Sequence, residues 1–201
     1  MLTNREKIAL IEEIEERLGI NLQREQLEYI FNKNKKISFV SPRRYGKDTM
    51  AAVRVVLNSL ATSNRRTIIF AHGEMAVRQS LELIANVAGP LMDSKKVCYP
   101  SRITFNNGSD IQIINGKNIE QMRGCRADEI IIRDAFMNNS STLNTLVNRA
   151  LSLVVHNDDY SVSLIGTPNA ISASFLHNIA TSESWDTTII RLNDMQRENT
   201  L

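Results

Sequence analysis

The chain has 201 residues, of which 42% are apolar and 23% charged, with a formal charge of +2 at pH 7. This balance is ordinary for one soluble domain with a sizeable core, and the small net charge neither demands nor excludes a nucleic-acid partner. Cys98 and Cys125 fit no zinc-ligand spacing and read as reduced thiols, no apolar run approaches the ~18 residues of a membrane span, and the acidic amphipathic N-terminus is unlike a signal peptide. The expectation is a protein that works inside a cell, outside the membrane.

In chain order, "NREKIALIEEIEERLG" carries Ile8, Ile11, Ile14 and Leu18 at helical spacing with Gly19 as a stop. "LQREQLEYIFNKN" predicts a second, short helix. "KISFVS" is a β-rich run, and "DTMAAVRVVLNSLATS" has helical periodicity, so the stretch between them is a strand–loop–helix turn. "RTIIFAH" predicts a buried strand and "EMAVRQSLELIANVAG" a helix. "SRITFNNGSDIQIING" holds two alternating runs around Asn-Gly, a hairpin signal because those residues tolerate φ > 0. A strand at "DEIIIRDA", a helix at "STLNTLVNRALSLVV", a strand at "YSVSLIGTPN", a helix at "ASFLHNIAT" and a last strand at "DTTIIRLND" follow. Strands that alternate with helices predict one domain, residues 1–201, with a mainly parallel sheet covered on both faces.

The turn after the first strand reads "SPRRYGKDTM", Ser41 to Met50. It approximates the phosphate-binding (Walker A) pattern, in which loop amides and a helix N-terminus surround a phosphate, a lysine neutralises it and a hydroxyl ligates Mg2+. Gly46 supplies the permissive backbone, Lys47 the charge and the helix from about Asp48 the dipole. Ser41 replaces the pattern's first glycine. On this spacing alone a basic turn that merely starts a helix is an equal alternative.

Four motifs read together narrow the choice. "SPRRYGKDT", "FNNGSDIQI", "RGCRADEIIIRDAFMN" and "LIGTPNAISASF" occur in that order. The set resembles the ATPase domain of the terminase large subunit, the DNA-packaging motor of tailed bacteriophages, over about Leu22 to Leu192. In that family an R-x-x-G-K-S/T loop precedes nGS-x-I, then R-G-x-x-A-D, a hydrophobic strand and D-E-A-F, and finally a coupling motif of the G-T-P-N type.

The resemblance implies a P-loop NTPase fold of the additional-strand type with a β-hairpin insertion, and ATP and Mg2+ as ligands. It implies that Ser41, Pro42, Arg43, Arg44, Tyr45, Gly46, Lys47, Asp48 and Thr49 form the nucleotide loop. Arg43 or Arg44 would stabilise the γ-phosphate, a planar cation suiting the charge spread over a transferring phosphoryl group; the alternative is that one of the two pairs with a surface carboxylate. Gln26 matches the glutamine that reads adenine, with an exposed helix residue as the alternative at that position. Gly166, Thr167 and Pro168 match the coupling motif, which by itself is also an ordinary turn.

Two departures fall on the metal site. Asp48 stands where the family has Ser or Thr, and Thr49 points about 100° away around the helix. Aligned on "RG", "AD" and "AF", Arg133 takes the place of the metal-organising Asp and Asp134 that of the catalytic Glu, drawn back by about 1.5 Å. Asp48 and Arg133 are therefore expected to form a salt bridge where Thr, Mg2+ and Asp normally meet. The alternative keeps Asp134, with Asp48, as metal residue after a small register shift.

The resemblance further implies partners: double-stranded DNA, a portal protein, a small terminase subunit and a nuclease domain or subunit that these residues do not supply. It implies a homo-oligomeric ring on the portal, or a monomer when alone, in the host cytoplasm and at the procapsid. Lys33, Lys35, Lys36, Arg65, Arg66, Lys95 and Lys96 are read as lying in loops or at element ends, available to DNA or partners or simply solvated. The primary expectation is an ATP-hydrolysing packaging motor. A nucleotide-binding module with impaired hydrolysis is the alternative, and a helicase-like ATPase is a third, weaker one.

Overall fold

The computed structural model describes residues 2–96, 101–118, 125–154 and 157–190. Its helices are α1 (Asn4–Leu18), α2 (Arg24–Phe31), α3 (Lys47–Ala61), α4 (Glu74–Ala88), α5 (Ser140–Val154) and α6 (Ala173–Ala180). Its strands are β1 (Lys36–Val40), β2 (Arg66–Ala71), β3 (Ser94–Lys96), β4 (Ser101–Thr104), β5 (Asp110–Asn115), β6 (Glu129–Arg133), β7 (Ser161–Gly166) and β8 (Asp186–Ile189). The first helix starts at a capping box, Thr3 with Glu6, and stops at Gly19, whose φ of 63° permits the left-handed cap.

The strands form one sheet in the order β3-β4-β5-β2-β6-β7-β1-β8. The pairs from β5 to β8 are parallel, and β3–β4 and β4–β5 are antiparallel. β7 separates β1 from β6, which is the inserted strand of the additional-strand architecture. Fully buried runs such as "SVSLIG" of β7 make this possible, since a parallel strand is covered on both faces.

Strand alternation divides the core into two layers. On one face Ile37, Phe39, Ile69, Ile131 and Ile165 pack under α1 to α4. On the other, Ile68, Phe70, Ile130, Ile132 and Leu164 pack against α5 and α6.

Three details extend or correct the sequence reading. The expected hairpin is present as the antiparallel pair β4–β5, and β3 adds a third antiparallel strand by pairing with β4; "SKK" is too short and too polar to signal a strand. Lys95 is inside that strand and its Nζ meets Glu82 at 2.8 Å. Arg65 is only 11% exposed and faces the buried Glu129 at 3.6 Å, so it is not a solvated loop cation.

The parallel register also decides where chemistry can sit. Val40 pairs with Gly166, and Arg133 with Ile165. The carboxyl ends of β1, β6 and β7 therefore share one edge, where ligands of open α/β sheets bind.

Candidate nucleotide site

The turn that leaves β1 wraps back over the end of β7. Ser41 is fully buried, and its N–H donates to the Gly166 carbonyl at 3.1 Å. Two residues then take left-handed backbone conformations, Arg44 at φ 67° and Gly46 at φ 74°. α3 begins at Lys47 with Gly46 as its N-cap and no side chain capping it. A 15-residue helix thus presents its positive end, open, beside a lysine.

α2 holds this loop from behind. Gln26 is 4% exposed; its Oε1 accepts from Gln23 N at 2.7 Å and its Nε2 donates to the Tyr45 carbonyl at 2.6 Å. It is not an exposed helix residue. A Cβ at Gly46 would come within 3.0 Å of Gln26 Nε2, so glycine is needed there for closeness as well as for φ. The Tyr45 ring lies 6.0 Å from Phe39, and its hydroxyl donates to Glu25 at 3.2 Å. Pro42, Lys47 and Thr49 are half-buried, and Arg43 and Arg44 are exposed.

Asp48 and Arg133 meet, as the motif alignment predicts. Arg133 Nη2 lies 2.8 Å from Asp48 Oδ2, and Arg133 Nε donates to Oδ1 at 3.1 Å. Arg133 Nη1 also donates to the Ala76 carbonyl at 3.3 Å and to Ser80 Oγ. One guanidinium thereby ties the end of β6 to the first turns of α3 and α4. The α4 contacts had one sequence signal, a serine on the apolar face beside Val77, Leu81 and Ile84.

Asp134 follows with φ 49° and ψ 33°, capping a short 3-10 turn whose Met137 N–H donates to its carbonyl at 3.0 Å. Its side chain is half-buried. A left-handed aspartate is a locally tolerated departure that re-aims the chain at the strand end. Phe136, in that turn, packs on Gly166 so closely that a Cβ there would lie 2.8 Å from its ring. Ser172 Oγ donates to the Phe136 carbonyl at 3.0 Å. The acidic strand end and the 166–168 turn are thus one packed unit, with Thr167 half-buried and Pro168 exposed.

The donor set does not fit Mg2+. Both Asp48 oxygens are engaged by a permanent cation, and among the described residues no three His, Cys, Asp or Glu side chains cluster as a metal site. Polyphosphate fits better, since open amides, Lys47 and two exposed arginines surround the loop. Cys125 is exposed and free, whereas Cys98 and the Arg123–Gly124 part of the third motif lie outside the described residues. Among the described residues no helix is long and apolar enough to cross a membrane.

No family model matches the chain, and no curated protein matches it. Solved structures do. The large-terminase ATPase domain of Thermus phage P74-26 aligns with 94% of this chain and 88% of its own at TM-score 0.70 and 17% identity. The large terminase of the thermophilic bacteriophage D6E in complex with ADP aligns with 88% of this chain and 47% of its own at TM-score 0.64 and 13% identity. A chain of the Saccharomyces cerevisiae Dbp5 assembly with Nup159, Gle1, IP6 and ADP aligns with 90% of this chain and 51% of its own at TM-score 0.62 and 14% identity. The additional-strand sheet, its loop after β1 and these alignments together give the chain the fold of the phage large-terminase ATPase domain.

Proposed function

We propose that the chain is the nucleotide-binding domain of a packaging motor of the large-terminase kind, acting on double-stranded viral DNA. The observation that carries this reading is the loop. Two left-handed residues, Arg44 and Gly46, deliver Lys47 and an uncapped helix N-terminus to the carboxyl edge of a parallel sheet. The likeness to a terminase domain solved with ADP supports ATP or ADP as the ligand. The fold does not choose between a packaging motor and the helicase-like reading, because a Dbp5-complex chain shares it. The order of the four motifs favours the motor.

In this reading residues 41–49 bind the polyphosphate, Lys47 neutralises it, and Arg43 or Arg44 reaches the γ-phosphate. Gln26 sets the loop and turns its remaining amide valences to the adenine. Asp134 holds the position of the catalytic carboxylate. Gly166, Thr167 and Pro168 link the nucleotide's state to the rest of the domain through Ser41 N–H and Phe136. Portal protein, small terminase subunit and a nuclease are the partners proposed, in a ring at the procapsid of an infected cell, with residues 1–201 as one ATPase domain.

The Asp48–Arg133 pair favours a second reading of turnover: the nucleotide binds but is hydrolysed slowly or not at all. Measuring binding and hydrolysis separately, with and without DNA, tests both. Binding that Lys47→Ala abolishes supports the nucleotide site, and its persistence in that variant defeats it. Hydrolysis at an ordinary motor rate defeats the impaired reading.

A further inference from the structure

We infer that this site takes its nucleotide free of any divalent cation, with the guanidinium of Arg133 standing where Mg2+ stands in ordinary P-loop sites. The inference rests on reading residues 41–49 as a nucleotide site.

Mg2+ requires near-octahedral oxygen ligands at about 2.0–2.1 Å. A P-loop NTPase provides two of its anchors, the hydroxyl after the loop lysine and an acid at the end of a neighbouring strand. Here those positions hold Asp48 and Arg133, and they have closed on each other at 2.8 and 3.1 Å. For Asp48 to ligate a metal, it must leave a two-point, charge-assisted contact. The approaching dication would also meet a cation that cannot lose its proton.

Arg133 is not a surface side chain that can swing aside. It is 9% exposed and further anchored by the Ala76 carbonyl and Ser80 Oγ. With Asp48 on α3 and Ala76 and Ser80 on α4 as its partners, rotating Arg133 away breaks contacts to two helices at once. The same geometry offers a positive function. A planar, weakly hydrated cation matches phosphate oxygens. Arg133, on the same sheet edge as the loop, adds to Lys47 and the α3 N-terminus the fixed positive field that a metal supplies elsewhere. Asp48 cancels part of that charge and sets the plane in which the guanidinium lies.

The test is ADP affinity in saturating Mg2+ and in excess chelator. Expected is a dissociation constant that changes by less than about threefold between the two conditions, a difference under 1 kcal/mol by the logarithmic relation of affinity to free energy. In the double variant Asp48→Thr, Arg133→Asp, the same comparison is expected to show a dependence of about tenfold or more, as the restored ligands recruit the metal. Strong Mg2+ dependence in the unmodified chain overturns the inference while leaving the nucleotide reading intact. No ADP binding in either condition overturns both. Because the double variant removes a part-buried pair and need not fold, a second measurement uses the unmodified chain alone. Electron paramagnetic resonance of Mn2+, added with ADP, is expected to show no more metal immobilised with the protein than with ADP alone. Stoichiometric protein-bound Mn2+ sinks the proposal.

Discussion

Arg54 and Glu129 meet at 2.8 Å with both side chains all but sealed from water. Arg54, from α3, also donates to the carbonyls of Tyr29 at 2.6 Å and Asn32 at 2.9 Å, so it closes the end of α2 as well. Glu129, at the start of β6, receives Asn58 Nδ2 on both oxygens. The pair locks the helix that carries Lys47 to the strand that ends in Arg133. Removing one partner leaves an uncompensated buried charge, a loss of about 3–5 kcal/mol. Glu129→Ala is therefore expected to lower stability by that amount in denaturant unfolding. A loss under ~1 kcal/mol would mean the pair does not lock these elements.

The acid response of the same group follows from its surroundings. Burial works to raise the Glu129 carboxyl, but Arg54, Arg65 and the Asn58 hydrogen bond outweigh it and hold the group below its ordinary value of 4.5. A depressed folded pKa means stability that is present above the unfolded value and is lost as pH falls through the folded one. Stability should stay level on acidification from neutrality to about the ordinary carboxylate range and then fall. In Glu129→Gln that acid-dependent loss should shrink, measured as urea midpoints across the same range. An unchanged acid limb in the variant would assign the loss to other carboxylates.

Tyr29 should report the opposite end of the scale. Burial pushes its phenol from 10.0 to about 12, against the opposing influence of Arg54. A raised folded pKa contributes stability that is complete below the unfolded value and declines as pH rises through the folded one. Ultraviolet titrations of the native chain and of Tyr29→Phe should differ by a late-ionising step that only the native chain shows. Identical curves at high pH would contradict the packing of Tyr29 under Arg54, whose guanidinium lies 5.0 Å from the ring.

Gly166 is fixed by contact, not by backbone conformation. Its added Cβ would lie 2.8 Å from Phe136 Cδ2 and 3.3 Å from the Ala135 and Phe136 nitrogens. Phe136 is fully buried and cannot retreat. Gly166→Ala is expected to cost about 1–3 kcal/mol by overpacking and to shift the turn that carries Asp134. A thermal scan, paired with nucleotide titration, checks both effects. Unchanged stability would show that the turn has room the contacts deny.

Gln26→Ala removes two hydrogen bonds from a side chain 4% exposed and leaves the Tyr45 carbonyl without its α2 partner. The expected loss of stability is about 1–3 kcal/mol. Nucleotide affinity should fall, and preference for ATP over GTP should fall with it. Competition titrations decide: retained preference with reduced affinity would confine Gln26 to shaping the loop.

Local sequence carried the helices and most strands, because a 3.6-residue or unbroken apolar pattern is a property of neighbouring residues. "EIIIR" and "SVSLIG" are strands by composition, and Gly19 and Gly46 mark two positive-φ positions, a demand of local backbone sterics. The loop after β1 and the meeting of Asp48 with Arg133 were also legible, since motif order places both letters on one metal position. Other features belong to the tertiary structure alone. β3 exists only because β4 offers it a paired edge. Gln26 is buried only because the 41–46 loop folds over it. Ser80 reaches Arg133, and Arg54 reaches Glu129, across 53 and 75 residues of chain. No periodicity encodes such a distance; a parallel sheet creates it, by laying remote strands and the helices between them side by side and leaving the charges at either edge to find partners.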